Sequence, residues 1–264
     1  MALPANWKQW VLKALLSGTP AMQILKTLLE NGFLFEDAKA VLGSNLPSTV
    51  SSPLNAEFFK ALAKPRFALE NVEVHGNDTI QLYAIPHFLD DAVCQQVIDV
   101  AQNHFEPSTI AAKKGFESHR TSTTCQLTFL NDAVIGDVEQ KIVSLLKLGI
   151  GENEVMQAQR YEVGQEFKQH TDYFEPGTEA YRQHAAKRGQ RTWTCMIYLN
   201  DVIEGGETEF VTLQKCFTPQ KGTALIWNNL LPSGTPNPMT LHHAHPVIKG
   251  KKFVITKWFR TFNQ

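Results

Sequence analysis

The chain has 264 residues, of which 43% are hydrophobic and 19% are charged, and its formal net charge is -1. This composition is ordinary for a globular protein, and the length suits one large domain or two smaller ones. A nearly neutral chain does not attract nucleic acid or an anionic membrane electrostatically, so we expect neither as a partner. The four cysteines lie far apart without paired spacing, which argues against a disulfide framework and favours a reducing, cytoplasmic setting.

The first part of the chain predicts a series of short helices. Apolar residues recur at helical spacing in NWKQWVLKALL, and GTPAMQILKTLLENG has Thr19 as an N-cap and Gly32 as a C-cap. A third helix, FEDAKAVLG, precedes the Ser- and Pro-rich linker SNLPSTVSSPLN and a further helix, AEFFKALA. We therefore expect a small helical N-terminal domain over residues 1–70 and a second domain over residues 71–264.

Strand-like segments dominate the second domain. Two helices are predicted there, in DDAVCQQVIDVAQNHF and in DAVIGDVEQKIVSLLKL. The remaining runs are short, rich in β-branched and aromatic residues, and broken by Gly, Pro, Asn and Asp. They are TTCQLTFL, EVMQAQRYEV, TWTCMIYLN, ETEFV, TALIWNNL, HHAHPVI and KFVITKWFR. Many short strands of this kind predict an α+β fold with a sandwich or jelly roll and helices packed on one side, although periodicity leaves the strand order open.

Two polar clusters in these strands suggest a metal site. The stretch FKQHTDYFEP places His170 and Asp172 two residues apart, where side chains of one strand share a face. Alone, such a pair is more often a feature of a solvated strand face than a metal site. A second cluster, LHHAHPVIKGKKF, offers His242, His243 and His245, and two histidines with one carboxylate form the ligand set of non-haem Fe(II) oxygenases. Alternation separates His242 from the other two histidines, so spacing alone does not choose the third ligand.

Five blocks of residues follow one another along the second domain. They are the Arg-Thr-Ser segment at residues 120–122, RYEVGQEFKQHTDYF, MIYLNDVIEGGETEF, KGTALIWNNL and HHAHPVIKGKK. In this order they resemble the prolyl 4-hydroxylase branch of the Fe(II)- and 2-oxoglutarate-dependent dioxygenases. The resemblance runs from AIPHFLDDAVCQQVI to KWFR, nearly the whole chain after residue 80, and it implies a double-stranded β-helix (jelly-roll) core with supporting helices.

The resemblance also indicates which of the three histidines in the second cluster is the third metal ligand. The family's distal ligand lies four residues before the Pro-Val pair, which implies His242 as the partner of His170 and Asp172 on iron. Ten residues further the family has the basic residue that holds the C5 carboxylate of 2-oxoglutarate, which implies Lys252. His243 and the residues after it replace a small residue or Cys that is common in the family, and we expect them in a turn or on the surface.

Four further residues match the family's pocket. Tyr198 and Thr194 match the polar lining around 2-oxoglutarate, and Tyr161 matches a tyrosine at the mouth shared by co-substrate and substrate. Arg120 matches a residue that faces the peptide substrate in relatives, with a structural ion pair as the alternative. Tyr198 has a second interpretation as a core residue whose hydroxyl is satisfied by the protein.

The activity implied is hydroxylation of a C–H bond with Fe(II), 2-oxoglutarate and O2, releasing succinate and CO2, with ascorbate as an accessory cofactor. The substrate implied is a prolyl residue of a protein or peptide. A free amino acid or other small molecule is one alternative, and a non-catalytic 2-oxoglutarate- and metal-binding sensor is another. The N-terminal helices are expected to serve as a dimerisation arm of a homodimer, a docking platform or a lid.

Overall fold

Short helices open the chain and strands fill the rest of it. The computed structural model describes residues 3–52, 54, 56–64, 67, 69–108, 119–146 and 154–261. The helices are α1 (Ala5–Leu16), α2 (Ala21–Glu30), α3 (Phe35–Leu42), α4 (Ala56–Leu62), α5 (Asp91–Ala101), α6 (Ala133–Leu146) and α7 (Glu179–His184). None of the helices in these ranges is both long and apolar enough to cross a membrane.

Helices α1 to α3 enclose an apolar core of their own. Ile24 and Leu28 of α2 are fully buried in one cluster with Leu42 of α3. Helix α2 ends at Glu30 with Asn31 as its C-cap, so the prediction of Gly32 as the C-cap is wrong by one residue; Gly32 follows with a φ of 87° that favours glycine. The prediction of Thr19 as its N-cap is wrong, since Pro20 occupies that position. The helical region therefore has a packed interior.

The N-terminal helices also pack on the strand-rich domain. The backbone N–H of Gly177 donates to the carbonyl of Asn31 at 2.8 Å. A Cβ atom at Gly32 would lie 2.3 Å from the ring of Tyr181 in α7, so only glycine permits this contact. The C-terminal end of α2 is thereby held against α7.

The strands form a main sheet, a small sheet and a two-stranded ribbon. In the main sheet the order is β1-β2-β11-β7-β14-β5-β4-β3, in the small sheet β10-β9-β12-β6, and in the ribbon β13-β8. Neighbouring strands within these three sheets all pair in antiparallel fashion. The strands are β1 (Glu73–Val74), β2 (Leu82–Ile85), β3 (Glu106–Pro107), β4 (Thr123–Gln126), β5 (Gln157–Tyr161), β6 (Phe167–His170), β7 (Arg191–Tyr198), β8 (Glu204–Gly205), β9 (Thr208–Phe210), β10 (Lys215–Phe217), β11 (Ala224–Asn228), β12 (His242–Ala244), β13 (Val247–Lys249) and β14 (Lys252–Arg260).

The inner faces of the main and small sheets enclose a common interior. Met196 and Trp227 of the main sheet share an apolar cluster with Phe210 and Ala244 of the small sheet. Two antiparallel sheets packed face to face in this way form the predicted jelly roll, and the α+β class is confirmed.

The outer face of the main sheet is covered by helices. Cys94 and Val97 of α5 and Ile142 of α6 belong to the buried cluster on that side. Helix α4 joins the same cluster through Phe59 and Leu62, although its sequence lies within the predicted N-terminal domain. The domain boundary at residue 70 therefore stays a prediction, since α4 packs with the main sheet while α1 to α3 have a separate core.

Candidate metal centre

Three side chains from distant parts of the chain meet at one edge of the small sheet. His170 ends β6 and is paired directly with His242, the first residue of β12, and the two imidazole centroids lie 4.1 Å apart. Asp172 lies just beyond the strand, with Oδ1 4.0 Å from Nε2 of His170. One donor atom from each residue lies within 4.8 Å of the other two. The expectation that His170 and Asp172 share one strand is wrong, because β6 ends at His170 and a bend brings the carboxylate round.

Backbone carbonyls set the orientation of both imidazoles. Nδ1 of His170 lies 2.7 Å from the carbonyl oxygen of Lys168, and Nδ1 of His242 lies 2.9 Å from that of Thr240. A carbonyl oxygen can only accept, so Nδ1 carries the hydrogen in each ring and Nε2 keeps its lone pair. This is how proteins commonly fix a metal-binding histidine.

The environment of His170 keeps its ring neutral. Burial and the adjacent His242 hold the pKa of His170 well below its usual value. The ring also stacks on Phe167, with centroids 3.4 Å apart and planes at 13°. A neutral imidazole held in a fixed plane is the form that binds a metal ion.

A buried chain of hydrogen bonds orients Asp172. The Thr194 hydroxyl donates to Oδ2 of Asp172 at 2.7 Å, and Nδ2 of Asn229 donates to the Thr194 hydroxyl at 2.8 Å. The indole N–H of Trp227 donates to Oδ1 of Asn229 at 3.0 Å. Oδ2 of Asp172 therefore accepts a hydrogen bond, while Oδ1 faces the histidines. This arrangement suits a carboxylate that binds one ion through a single oxygen.

Two members of this chain were not predicted for it. Neither Trp227 nor Asn229 was predicted to act at the metal centre, although both lie in the block KGTALIWNNL that carries the resemblance. Thr194 was predicted to line the 2-oxoglutarate pocket, but its hydroxyl hydrogen is directed at Asp172. Its pocket role stays a prediction, and its observed contact is with a metal ligand.

Lys252 lies fully inside the protein, between the two sheets. It is 1% exposed, and its Nζ lies 3.5 Å from the hydroxyl of Thr208 in the small sheet. Nζ also lies over the rings of Tyr161 and Tyr198, at 5.3 Å and 5.5 Å from their centroids. Burial lowers the pKa of Lys252 to about 7, and the charge of Glu207 opposes that shift only in part.

This lysine fits the far carboxylate of 2-oxoglutarate. Within the described ranges, no carboxylate oxygen lies in ion-pair distance of the Lys252 amine. A buried ammonium without a counterion is costly, and an incoming carboxylate would supply a charge-assisted hydrogen bond. The metal ligands and Lys252 belong to one interior, because Thr208 beside the lysine and Phe210 beside His242 lie in the same strand.

The predicted pocket tyrosines are both buried and hydrogen-bonded. Tyr198 is 1% exposed, burial raises its pKa, and its hydroxyl donates to the carbonyl of Phe217 at 3.2 Å. The Tyr161 hydroxyl is hydrogen-bonded to Ser122 and Arg120, and burial raises its pKa. Both rings lie beside the Lys252 amine. Their roles in the 2-oxoglutarate pocket and at its mouth stay predictions.

Arg120 links the tyrosine to the metal end. Its Nε donates to the Ser122 hydroxyl and its Nη2 to the Thr124 hydroxyl, each at 3.1 Å. The guanidinium carbon lies 4.9 Å from the centroid of Phe167, the residue that stacks on His170. Arg120 also lines the groove described next, so its predicted place near the substrate is compatible with its position.

A groove of about 1170 Å³ opens beside the metal ligands. His170 and Asp172 lie in its wall, and α7 with the preceding loop forms the opposite side. Its lining mixes charged and aromatic side chains. It includes Glu154, Tyr173, Phe174, Glu175, Glu179, Arg182, His184, Arg188, Arg191, Trp258 and Arg260.

A buried ion pair supports the floor of the groove. Arg191 donates to both carboxylate oxygens of Glu154, at 2.5 Å and 2.8 Å, and Arg260 adds a contact of 2.8 Å to the same carboxylate. Nη1 of Arg191 also donates to the backbone carbonyl of Asp172 at 3.3 Å, and its guanidinium stacks on Trp258 at 4.0 Å. This ion pair, which holds the backbone of a metal ligand, was not predicted from the sequence.

The comparisons with known proteins agree with this geometry. A family profile described as the 2OG-Fe(II) oxygenase superfamily matches residues 156–260. Prolyl 4-hydroxylase 13 of Arabidopsis thaliana is 31% identical over 217 residues, covering 73% of this chain and 76% of that protein. Probable prolyl 4-hydroxylase 9 of the same plant is 31% identical over 201 residues, covering 68% of each chain.

A solved structure shares the fold. The 2OG complex of the viral collagen prolyl hydroxylase vCPH from Paramecium Bursaria Chlorella virus-1 superposes with a TM-score of 0.55 at 28% identity. The match covers 68% of this chain and 96% of that one. The fold and the site thus define a 2-oxoglutarate- and Fe(II)-dependent dioxygenase. The chain belongs to the prolyl 4-hydroxylase family, and its metal and co-substrates are Fe(II), 2-oxoglutarate and O2.

Proposed function

We propose that the protein hydroxylates prolyl residues of a protein or peptide. The observation that carries the proposal is the convergence of His170, Asp172 and His242 at one end of an interior that holds the buried Lys252 at the other. That interior adjoins a groove of about 1170 Å³, whose wall includes His170 and Asp172. The names of the relatives support proline as the residue that is modified.

Each residue of the site has a separate task. When bound, Fe(II) with 2-oxoglutarate and O2 supplies the oxidation that converts C–H to C–OH, with succinate and CO2 as the other products. His170, Asp172 and His242 would hold the metal through two Nε2 atoms and Oδ1, which leaves the remaining coordination positions open. Lys252 would bind the C5 carboxylate of 2-oxoglutarate and thereby orient its other end towards the metal.

The protein also shields the reaction from water. Asp172 and His242 are 6% exposed, and the lysine end is closed by Tyr161, Tyr198 and the small sheet. Exclusion of water strengthens the interaction between the lysine and a carboxylate. The substrate therefore has access to the metal from the groove side, where His170 and Asp172 are exposed to the cavity.

The size of the groove favours a peptide over a free amino acid. Pockets for small molecules have volumes of roughly 300–1,000 Å³. The groove is about 1170 Å³ and is flanked by Arg120 on one side and by α7 on the other. We propose that Arg120 contacts the peptide at the end of this groove nearest the metal, which keeps Arg120 in its predicted role. Tyr161, whose ring lies at the lysine end of the interior, would act on the substrate through its hydrogen bond to Arg120.

Product analysis tests the substrate class. The protein is incubated with Fe(II), 2-oxoglutarate and ascorbate, together with proline-containing peptides or with free amino acids, and products are identified by mass spectrometry. We expect one added oxygen atom on a prolyl ring within a peptide, with succinate formed in equal amount. Modification of free amino acids alone would overturn the proposal, as would an absence of succinate with every substrate despite bound iron.

The remaining expectations about the cellular setting are also proposals. We propose a cytoplasmic location because all four cysteines are free and Cys94, Cys125 and Cys195 are buried. We propose ascorbate as an accessory reductant, and omission of ascorbate during many turnovers should then lower the yield of succinate.

We also propose that the chain forms a homodimer through α1 and α2. Large apolar side chains stand exposed on these helices, with Leu12 at 57% and Leu16 at 79%. Burial of such side chains against a second copy would remove apolar surface from water. Light scattering of the full chain and of Leu12→Glu/Leu16→Glu should give a dimer and a monomer, and a wild-type monomer would refute the proposal.

A further inference from the structure

The outer face of the small sheet carries a second group of potential metal ligands. Cys216 of β10 is paired directly with Glu209 of β9, and Glu209 is paired directly with His243 of β12. Residues paired in antiparallel strands point to the same face. Since side chains alternate along a strand, His245 joins this outward row while His242 points into the interior.

Three of these side chains lie close enough to share one ion. One ligand atom each from Glu209, Cys216 and His245 lies within 4.8 Å of the other two. Nε2 of His245 already lies 2.8 Å from Oε2 of Glu209. The backbone N–H of His245 donates to the carbonyl of Glu207 at 2.8 Å, which extends the strand pairing and holds the cluster in register.

The group is accessible and differs from the site in the interior. Cys216 is exposed, and the side chains of His245 and Glu209 are 33% and 25% exposed. The iron ligand His242 lies on the opposite face of β12, buried at 6% exposure. An ion could therefore reach the outer group from solvent without entering the groove.

The charges around the thiol favour a cation. Burial raises the pKa of Cys216, and the carboxylates of Glu209 and Glu207 raise it further. A divalent ion would reverse this effect, since it attracts both carboxylates and stabilises the thiolate. Binding would form a metal–sulfur bond and release the thiol proton to solvent.

We propose that Glu209, Cys216 and His245 form a second divalent-metal site, selective for thiophilic transition ions such as Zn²⁺. Thiolate, imidazole and carboxylate are together the ligand set that zinc prefers, and they suit Mg²⁺ or Ca²⁺ poorly. The three ligands leave a coordination position for water or for a nearby carboxylate. The site is distinct from the iron centre and does not depend on the substrate proposed above.

Cobalt binding distinguishes the two sites, because the iron ligands contain no sulfur. The metal-free full chain is titrated anaerobically with Co²⁺ and followed by near-ultraviolet absorption and equilibrium dialysis. We expect a thiolate-to-cobalt charge-transfer band and one bound ion beyond that held by the iron ligands. Cys216→Ser should lose the band and that ion, and His245→Ala should bind cobalt there more weakly.

Two variants serve as matched controls. Cys94→Ser changes a buried cysteine of α5 and should keep the band, whereas His242→Ala should lose the interior ion and keep the band. Absence of the band in the wild-type protein at excess Co²⁺ would overturn the proposal. Persistence of an equally strong band in Cys216→Ser would do the same, because the sulfur would then come from another cysteine.

Discussion

The two ends of the interior differ in how far the protein itself satisfies their polar groups. At the metal end every ligand is already engaged by the protein, since Nδ1 of His170 and His242 donate to carbonyls and Oδ2 of Asp172 accepts from Thr194. At the other end, Lys252 is 1% exposed, and among the described residues its amine meets the Thr208 hydroxyl at 3.5 Å and the rings of Tyr161 and Tyr198, but no carboxylate. The metal end is therefore preorganised, whereas the lysine end is incomplete until an anion binds.

This difference indicates how the two cofactors contribute to binding. Ligand side chains that are already held by hydrogen bonds lose little conformational entropy when a metal binds, because folding has already ordered them. The lysine instead carries an unfavourable burial of charge, which a carboxylate relieves when it arrives. Loss of a metal ligand should thus lower turnover with every substrate. Loss of the lysine should mainly weaken the binding of 2-oxoglutarate.

The largest effect is expected for His242→Ala. Changes to groups that only orient metal ligands cost about 10- to 100-fold, so loss of a ligand itself should lower turnover by more than about 100-fold. Succinate release and bound iron should fall together. His104→Ala, at an exposed histidine after α5, is the control and should keep both. Normal iron content and turnover in His242→Ala would mean that the ligand assignment is wrong.

A smaller and more selective effect is expected for Lys252→Met. Loss of a hydrogen bond between charged groups costs up to about 3 kcal/mol, which corresponds to about a 100-fold higher KM for 2-oxoglutarate. Iron affinity should stay unchanged because the three metal ligands are intact. Lys251→Met removes the adjacent lysine, which pairs with Glu162 at 3.1 Å on the surface, and should leave this KM unaltered. An equal effect of both changes would refute the anchor role.

Thr194→Ala decides between two roles for this residue. If its hydroxyl mainly orients Asp172, iron affinity should fall by about tenfold or more, while the KM for 2-oxoglutarate changes little. Thr194→Ser keeps the hydroxyl and should restore iron binding. The opposite pattern, a raised KM with normal iron affinity, would favour the pocket-lining role predicted from the sequence.

The mildest test uses pH. The ammonium of Lys252 binds the carboxylate, and its pKa in the free protein is about 7. Affinity for 2-oxoglutarate should be constant at acidic pH and fall as the pH rises through this value, by roughly fivefold from about pH 7 to about pH 8. Lys252→Arg keeps its charge throughout and should abolish this dependence in calorimetric titrations. A wild-type affinity that is flat across this range would contradict the assignment.

The lowered pKa of Lys252 also predicts how the free energy of unfolding changes with pH. The unfolded chain binds a proton at lysine up to about pH 10, whereas the folded free protein releases it at about pH 7. Between these values the unfolded state binds more protons, so this group makes the free protein more stable as the pH rises. Bound 2-oxoglutarate should weaken that trend because it favours the charged lysine.

Several features of the site could be predicted from the sequence because they are local or belong to quoted blocks. The periodicity predicted α5 and α6, which the structure places at Asp91–Ala101 and Ala133–Leu146. The alternation within HHAHPVI correctly separated His242 from His245, since strand geometry alone sets which face each side chain takes. The choice of His242 as ligand needed the resemblance, because either face could have been the inner one.

Other features depend on contacts between distant segments. The Thr194 hydroxyl meets Asp172 across 22 positions, and Trp193 of the same strand donates to the carbonyl of Leu62 in α4. No local pattern encodes these pairs. The bend that carries Asp172 past the end of β6 was missed for the same reason, since a strand was assumed to continue through His170-Thr171-Asp172.

The sequence by itself determined which residue types are available and which face of a strand each occupies, because backbone geometry alternates side chains whatever the surroundings. Only the tertiary structure decided that Lys252 is buried, with no carboxylate in ion-pair distance in the part of the chain that the structure describes, and that Glu209, Cys216 and His245 lie together. Both results follow from strand order and register, which depend on how whole sheets bury their apolar faces. That choice is made by packing between segments far apart in the chain, so it could not be read from any one of them.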